Sequence, residues 1–192
     1  SIWRIRNSRV LRSDRRSRAV APPDMATMGV PPSIAEYLAD HPDVIVEQFA
    51  RESGVTPHAV VQALPTALRQ FADGARFVDA MQDIATWGDV TLIVHTEDGI
   101  MEFGGPIPAG QVARGYYNVP GSSGFHGHLR HDRCTGIAFV ERPFMGRPSA
   151  SILFFNGNGA IMFKVFVGRD ENRNLKSDQL DAFRSLALRL AS

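Results

Sequence analysis

Six histidines and three tyrosines carry most of the chemistry open to this chain of 192 residues. Three of the histidines fall in one run, Phe125-His126-Gly127-His128-Leu129-Arg130-His131. Read as a β-strand, the run puts His126, His128 and Arg130 on one face, with about 6.6–6.8 Å between alternate residues. Imidazoles at that spacing could hold a transition metal weakly. They could also offer one axial bond to a haem iron while the guanidinium meets a propionate. Gly127 would let a flat ligand approach the backbone. The run reads equally well as a solvated edge strand.

His95 stands apart from that run. With Asp98-Gly99 read as a two-residue hairpin turn, partners are residues whose numbers sum to 197, so His95 faces Glu102. A carboxylate on the second ring nitrogen fixes the tautomer of a ligating histidine. Cross-strand His–Glu pairs also occur as simple surface contacts. Tyr116 and Tyr117 are a third candidate, since a tyrosinate ligates ferric haem. More commonly such tyrosines are half-buried strand residues with the hydroxyl at the rim.

Other chemistries find no support. The single cysteine, Cys134, permits no internal disulfide and no Cys-rich metal centre, and reads as a small core residue in a strand. Gly104-Gly105-Pro106 and Gly121-Ser122-Ser123-Gly124 read as turns, without the strand–loop–helix setting or the lysine of a phosphate cradle. Val46 to Leu64 mimics a helix-turn-helix, with Ala50, Gly54 and Thr56-Pro57 at the small residue, the turn and the second helix start. Its charge opposes DNA binding: between Pro31 and Ala63, Arg51 stands against Glu36, Asp40, Asp43, Glu47 and Glu52.

The net charge of +1 hides an asymmetry. Residues 1–24 hold arginines at 4, 6, 9, 12, 15, 16 and 18 against Asp14 and Asp24. That leaves 14 of the 21 basic and 18 of the 20 acidic residues for the rest, a net of −4. The Arg-rich head lacks apolar periodicity and an apolar signal core, so the fold is expected to occupy 25–192, with a natural start at Met25 or Met28. No apolar run approaches the roughly 18–20 residues of a membrane-spanning helix. The absence of disulfides fits a reducing cytoplasm.

The elements that must position these residues follow from period and punctuation. Residues 32–87 read as helical. Ser33 caps a first helix, Pro42-Asp43 opens a second that Gly54 ends, Thr56-Pro57 opens a third that Pro65 stops, and 73–87 form a fourth with Phe77, Met81 and Ile84 in a stripe. Residues 88–168 alternate as an antiparallel sheet. Val90, Leu92 and Val94 share one face, a return strand spans 100–103, and further strands are expected at 115–119, 126–131, 135–142, 149–155 and 160–167. A closing helix occupies 176–190, with Leu180, Phe183, Ala187 and Leu190 inward. The class is α+β, in one unit.

Several stretches resemble the HutX/ChuX haem-utilisation carriers. They are Trp87-Gly88-Asp89-Val90-Thr91-Leu92-Ile93-Val94-His95-Thr96, Gly115-Tyr116-Tyr117-Asn118, Gly127-His128-Leu129, Glu141-Arg142-Pro143-Phe144-Met145-Gly146, Ala150-Ser151-Ile152-Leu153-Phe154-Phe155-Asn156 and Lys164-Val165-Phe166-Val167-Gly168-Arg169-Asp170. They keep the family's order and spacing over about residues 32–190. The resemblance implies a homodimer of α+β subunits, each similar to half of the larger two-repeat haem-handling proteins. It places the family's haem-binding histidines on His95 and His128, and leaves Tyr116 as an alternative ligand. Some relatives carry histidines where this chain has Gln111-Val112-Ala113-Arg114, and this chain adds His126 and His131, which makes His126 a further candidate.

The expectation is an intracellular haem carrier without catalytic residues, binding haem through His95, His128, His126, Tyr116 and Arg130 and passing it to a haem-degrading enzyme. A haem-degrading oxygenase is the alternative, and a DNA-binding regulator a third class. Fold similarity alone cannot choose among them.

Overall fold

The structure, a computed structural model, describes residues 33–121 and 124–191; the Arg-rich head and its expected start lie outside the described residues. Helix α1 (Ile34–Asp40) opens on a reciprocal cap, in which Ser33 Oγ accepts from the Glu36 amide at 3.2 Å and the Glu36 carboxylate accepts from the Ser33 amide at 2.7 Å. Helix α2 (Val46–Ser53) stops at Gly54, whose φ of 66° is left-handed. Helix α3 (Pro57–Ala63) begins with Thr56 accepting from the Ala59 amide and Pro57 in the first turn.

The remaining elements are β1 (Arg69–Asp73), α4 (Phe77–Ile84), β2 (Asp89–His95), β3 (Ile100–Pro106), β4 (Gln111–Ala113), β5 (Tyr116–Val119), β6 (Gly127–Leu129), β7 (Cys134–Phe144), β8 (Arg147–Asn156), β9 (Ile161–Phe166) and α5 (Ser177–Leu190). Six strands form one antiparallel sheet in the order β1-β7-β8-β9-β2-β3, and β4-β5-β6 form a second, smaller one.

The large sheet is covered on both faces, which is why β8 reads as a nearly unbroken apolar run rather than an alternation. One face, through Leu92, Ile137, Ile152, Phe154 and Val165, packs against α4, α5 and the inner side of the small sheet, where Tyr117 and Val119 are buried. The other, through Ala138, Val140, Leu153 and Phe155, packs against Leu38 of α1, Val46 and Ala50 of α2, and Val60 and Val61 of α3. The segment that mimics a helix-turn-helix is therefore a cover for the sheet, its apolar side spent on the core.

Several expectations need correction. Residues 32–87 are not wholly helical, because β1 lies among them and joins the large sheet beside β7. The fourth helix is shorter, with a 3-10 turn at Gly74–Arg76 before it. Gly74 permits a close crossing there, since a Cβ would stand 2.2 Å from the Cys134 carbonyl oxygen. Strand β4 was not expected, and the strand expected over 126–131 covers only Gly127–Leu129. The β2–β3 register also differs: His95 pairs with Ile100, and Glu102 pairs with Ile93. The chain reverses over residues 96–99, where the Thr96 amide and hydroxyl both donate to the Gly99 carbonyl, at 2.9 and 3.2 Å. The turn is thus centred on Glu97-Asp98, one residue earlier than expected, which moves every pairing two positions along β3, so His95 and Glu102 are not partners.

Candidate functional site

The small sheet builds the more open of two polar centres. Pleating sends Tyr117, Val119 and Leu129 inward and leaves Gln111, Ala113, Tyr116, Asn118 and His128 on the outer face. Strands β4 and β5 are joined by Arg114-Gly115, both at positive φ (53° and 78°), a tight two-residue turn that sets the Arg114 side chain at the sheet's tip. Tyr117 anchors this sheet from within: its buried hydroxyl accepts from the Gly110 amide at 2.8 Å. Burial in turn pushes the Tyr117 phenol above its ordinary range, so Tyr117 is a structural post and not a tyrosinate ligand.

His128 lies exposed on this face. Its Nδ1 is 2.6 Å from Asn118 Oδ1, and its ring meets the Tyr116 ring edge-on with centroids 6.0 Å apart. The Arg130 guanidinium sits 5.7 Å from the Tyr116 ring centre and makes two hydrogen bonds to the Asp132 carboxylate, at 2.8 and 2.6 Å. Those bonds hold the Asp132 carboxyl down at about 2. Beside His128 runs an open groove of about 610 Å³, lined by Ala113, Arg114, Asn118, Pro120 and His128, a size usual for a small-molecule cleft. Gly127 pairs with inward Val119, so a Cβ there would point to the inner face, where it would meet nothing within 4 Å. The expected close approach of a flat ligand at Gly127 is therefore not on the His128 side.

His95 belongs to a different centre. It ends β2 on the sheet face covered by α1–α3, and its Nδ1 lies 3.5 Å from Glu47 Oε1 of α2. The same oxygen accepts from Lys164 Nζ of β9 at 2.6 Å. All three side chains are nearly enclosed, with 12% of His95, 9% of Glu47 and 13% of Lys164 exposed. Glu47 Oε2 is buried without a hydrogen-bond partner. His95 does have a carboxylate on its ring nitrogen, but it comes from α2 and not from Glu102. Because His95 is under the helical cover and His128 is on the outside of the small sheet, packed on the opposite face, one protomer does not bring the two together.

The other candidates divide between these regions. His126 precedes β6, with its ring over Gly121, and is exposed. His131 lies in the turn before β7, its ring centre 6.4 Å from that of Phe77. Burial raises the Cys134 thiol to about 11, an inert core thiol. Among the described residues no group of three or more His, Cys, Asp or Glu side chains is arranged to hold a bare metal ion. Sequence reasoning did not single out Glu47, Lys164, Asn118 or Arg114. Only Glu47 carried a signal, as an acid inside the apolar stripe Val46–Ala50 of an amphipathic helix.

A small antiparallel sheet with an outward histidine, set on a larger sheet capped by helices, defines an α+β module with a solvent-facing imidazole. The chain belongs to the haem utilisation ChuX/HutX family, whose model matches residues 70–186. It is 36% identical over 154 residues to the intracellular heme transport protein HutX of Vibrio cholerae, covering 80% of each chain. Among solved structures, a protein from Erwinia carotovora is 50% identical with a TM-score of 0.80, over 82% of this chain and 98% of that one. The heme-binding protein ChuX is 41% identical with a TM-score of 0.77, over 83% of this chain and 100% of that one. The Escherichia coli heme oxygenase ChuS has a TM-score of 0.65 at 13% identity, and this chain covers 48% of it. That likeness is to the fold of one half of a larger protein and carries no activity.

Proposed function

We propose that this chain binds haem on the outer face of the small sheet and carries it inside the cell to a haem-degrading enzyme. The observation that carries this reading is the exposed His128 imidazole beside the groove, with Tyr116 and the cations Arg114 and Arg130 around it. The His128 imidazole would supply the bond to iron, the groove would take the porphyrin, and the guanidinium groups would meet the propionates. The Arg130–Asp132 pair keeps that cation aimed before the ligand arrives. Tyr116 stands close enough to His128 to serve as an alternative donor, and His126 flanks the same edge.

The names of the 36% and 41% identical relatives, a transport protein and a binding protein, support a carrier. A carrier must release its cargo, and one histidine per protomer at this groove leaves one iron bond to break on transfer. His95, expected as a second ligand, is on the other side of the sheet and takes no part in this reading. The oxygenase reading rests on fold likeness alone. A homodimer is proposed from the family resemblance and is supported by β3, an edge strand of the large sheet with Ile100, Met101 and Phe103 exposed.

Hemin titration of the Soret band tests the reading. Saturable binding is expected for the wild type and for His95→Ala, with affinity reduced tenfold or more in His128→Ala. Undiminished binding in His128→Ala sinks the ligand assignment. Turnover of bound haem to an open tetrapyrrole under reductant and oxygen, with catalase present, would make the protein an oxygenase.

A further inference from the structure

We propose that Asn118 is a positioning residue that holds His128 as its Nδ1–H tautomer and leaves Nε2 as the free base facing iron; this rests on His128 being the iron ligand. The argument begins with the Asn118 amide, whose two ends differ in what they can do. Its nitrogen lies 3.2 Å from the carbonyl oxygen of Gln111, 3.0 Å from that of Ala113 and 3.0 Å from that of Tyr116. An oxygen placed there would face three acceptors and no donor. The amide therefore has one sensible orientation, nitrogen toward the β4–β5 hairpin and Oδ1 toward His128.

That orientation decides the ring. Oδ1 is only an acceptor, and it stands 2.6 Å from His128 Nδ1. Two lone pairs at that distance repel, so Nδ1 must carry a proton. A neutral imidazole has one N–H, which leaves Nε2 with its lone pair. Histidine free in water prefers the opposite tautomer, so the amide works against the intrinsic preference and in favour of metal binding. Asn118 and His128 are direct cross-strand partners, and the register of β5 and β6 thus holds acceptor and ring together. Tyr116, edge-on to the ring, restricts its rotation from the other side.

Hydrogen bonding on the nitrogen away from the metal orients a ligating histidine and raises its basicity, and losing it commonly costs 10- to 100-fold in metal affinity. The hairpin carbonyls that orient Asn118 belong to the strands that flank the Arg114-Gly115 turn, so groove and ligand are set by one network.

The test uses the full chain labelled with 15N-histidine, without haem, at pH 8, with the His128 ring signals assigned by their loss in His128→Ala. The expected pattern is Nδ1–H in the wild type and Nε2–H in Asn118→Ala. Hemin affinity should fall roughly 10- to 100-fold in Asn118→Ala, and the iron–histidine stretch of the ferrous complex should move to lower frequency. A wild-type His128 in the Nε2–H form overturns the proposal whatever hemin does, and does not depend on the Asn118 variant folding. Wild-type affinity and an unshifted stretch in a folded Asn118→Ala overturn it too. Hemin binding unchanged in His128→Ala defeats the ligand assignment instead, while the tautomer pattern stands on its own measurement.

Discussion

Replacing Lys164 with Met should destabilise the protein by about 3–5 kcal/mol, the usual cost of removing one partner from a buried ion pair. The pair is enclosed, with 13% of Lys164 and 9% of Glu47 exposed, and its Nζ–Oε1 distance is 2.6 Å. Glu47 Oε2 is already without a partner. With the ammonium gone, the carboxylate keeps the 3.5 Å contact to His95 Nδ1 and the longer-range attraction of Arg142. For a domain of this size about 1 kcal/mol moves the melting midpoint by 2–4 °C, so the loss corresponds to roughly 6–20 °C. Replacing both partners in Glu47→Leu/Lys164→Met removes the stranded charge, and the double variant should be more stable than Lys164→Met alone. Urea unfolding of the wild type, both single variants and the double variant gives the coupling directly. A loss below about 1 kcal/mol for Lys164→Met, the scale of an exposed pair, would refute the claim that this cluster is sealed from water. So would a double variant as unstable as the two single losses added together.

Three further outcomes follow from the same geometry. Gly110→Ala would place a Cβ 2.5 Å from Tyr117 Cε1 and 2.7 Å from the Asn118 carbonyl oxygen, so it should cost about 1–3 kcal/mol in urea unfolding; wild-type stability would show that the small sheet yields there. Burial holds the Cys134 thiol near 11 against an ordinary 9.0, which makes thiolate roughly a hundredfold scarcer at pH 8. Iodoacetamide should therefore label native Cys134 far more slowly than the same thiol in denaturant, and equal rates would contradict its placement. Arg130 depresses Asp132 from an ordinary 3.8 to about 2, so the stabilisation from their clamp is complete above about pH 4 and is lost as pH falls through 2. An NMR titration of the Asp132 carboxyl with a midpoint near 4 would mean that the clamp does not persist in solution.

What the sequence disclosed was local or periodic. The Ser33 and Thr56 caps, the stop at Gly54 and the helix from Ser177 all depend on a few adjacent residues and form where their chemistry requires. Two strands escaped for the same reason. Arg69–Asp73 is an edge strand whose burial does not alternate, and Gln111–Ala113 is three exposed residues, so neither carries the period-two signal. The Asp98-Gly99 pair announced a hairpin but not its register, because Thr96 closes on the Gly99 carbonyl.

By itself the sequence determined the α+β class, the mildly acidic body, the family, and the histidines and tyrosines from which a ligand would be drawn. Tertiary structure decided their roles. It put His95 beneath α2, where a carboxylate 48 positions earlier in the chain meets it, and put His128 on the outer face of a second sheet. No short-range pattern encodes that division, because it depends on which face of the large sheet each layer covers. The same holds for Asn118: an asparagine in a strand is chemically unremarked until strand pairing sets its oxygen against an imidazole and its nitrogen among three carbonyls. Residue types limit the chemistry a chain can perform, but pairing and layer contacts between distant segments set which atoms meet.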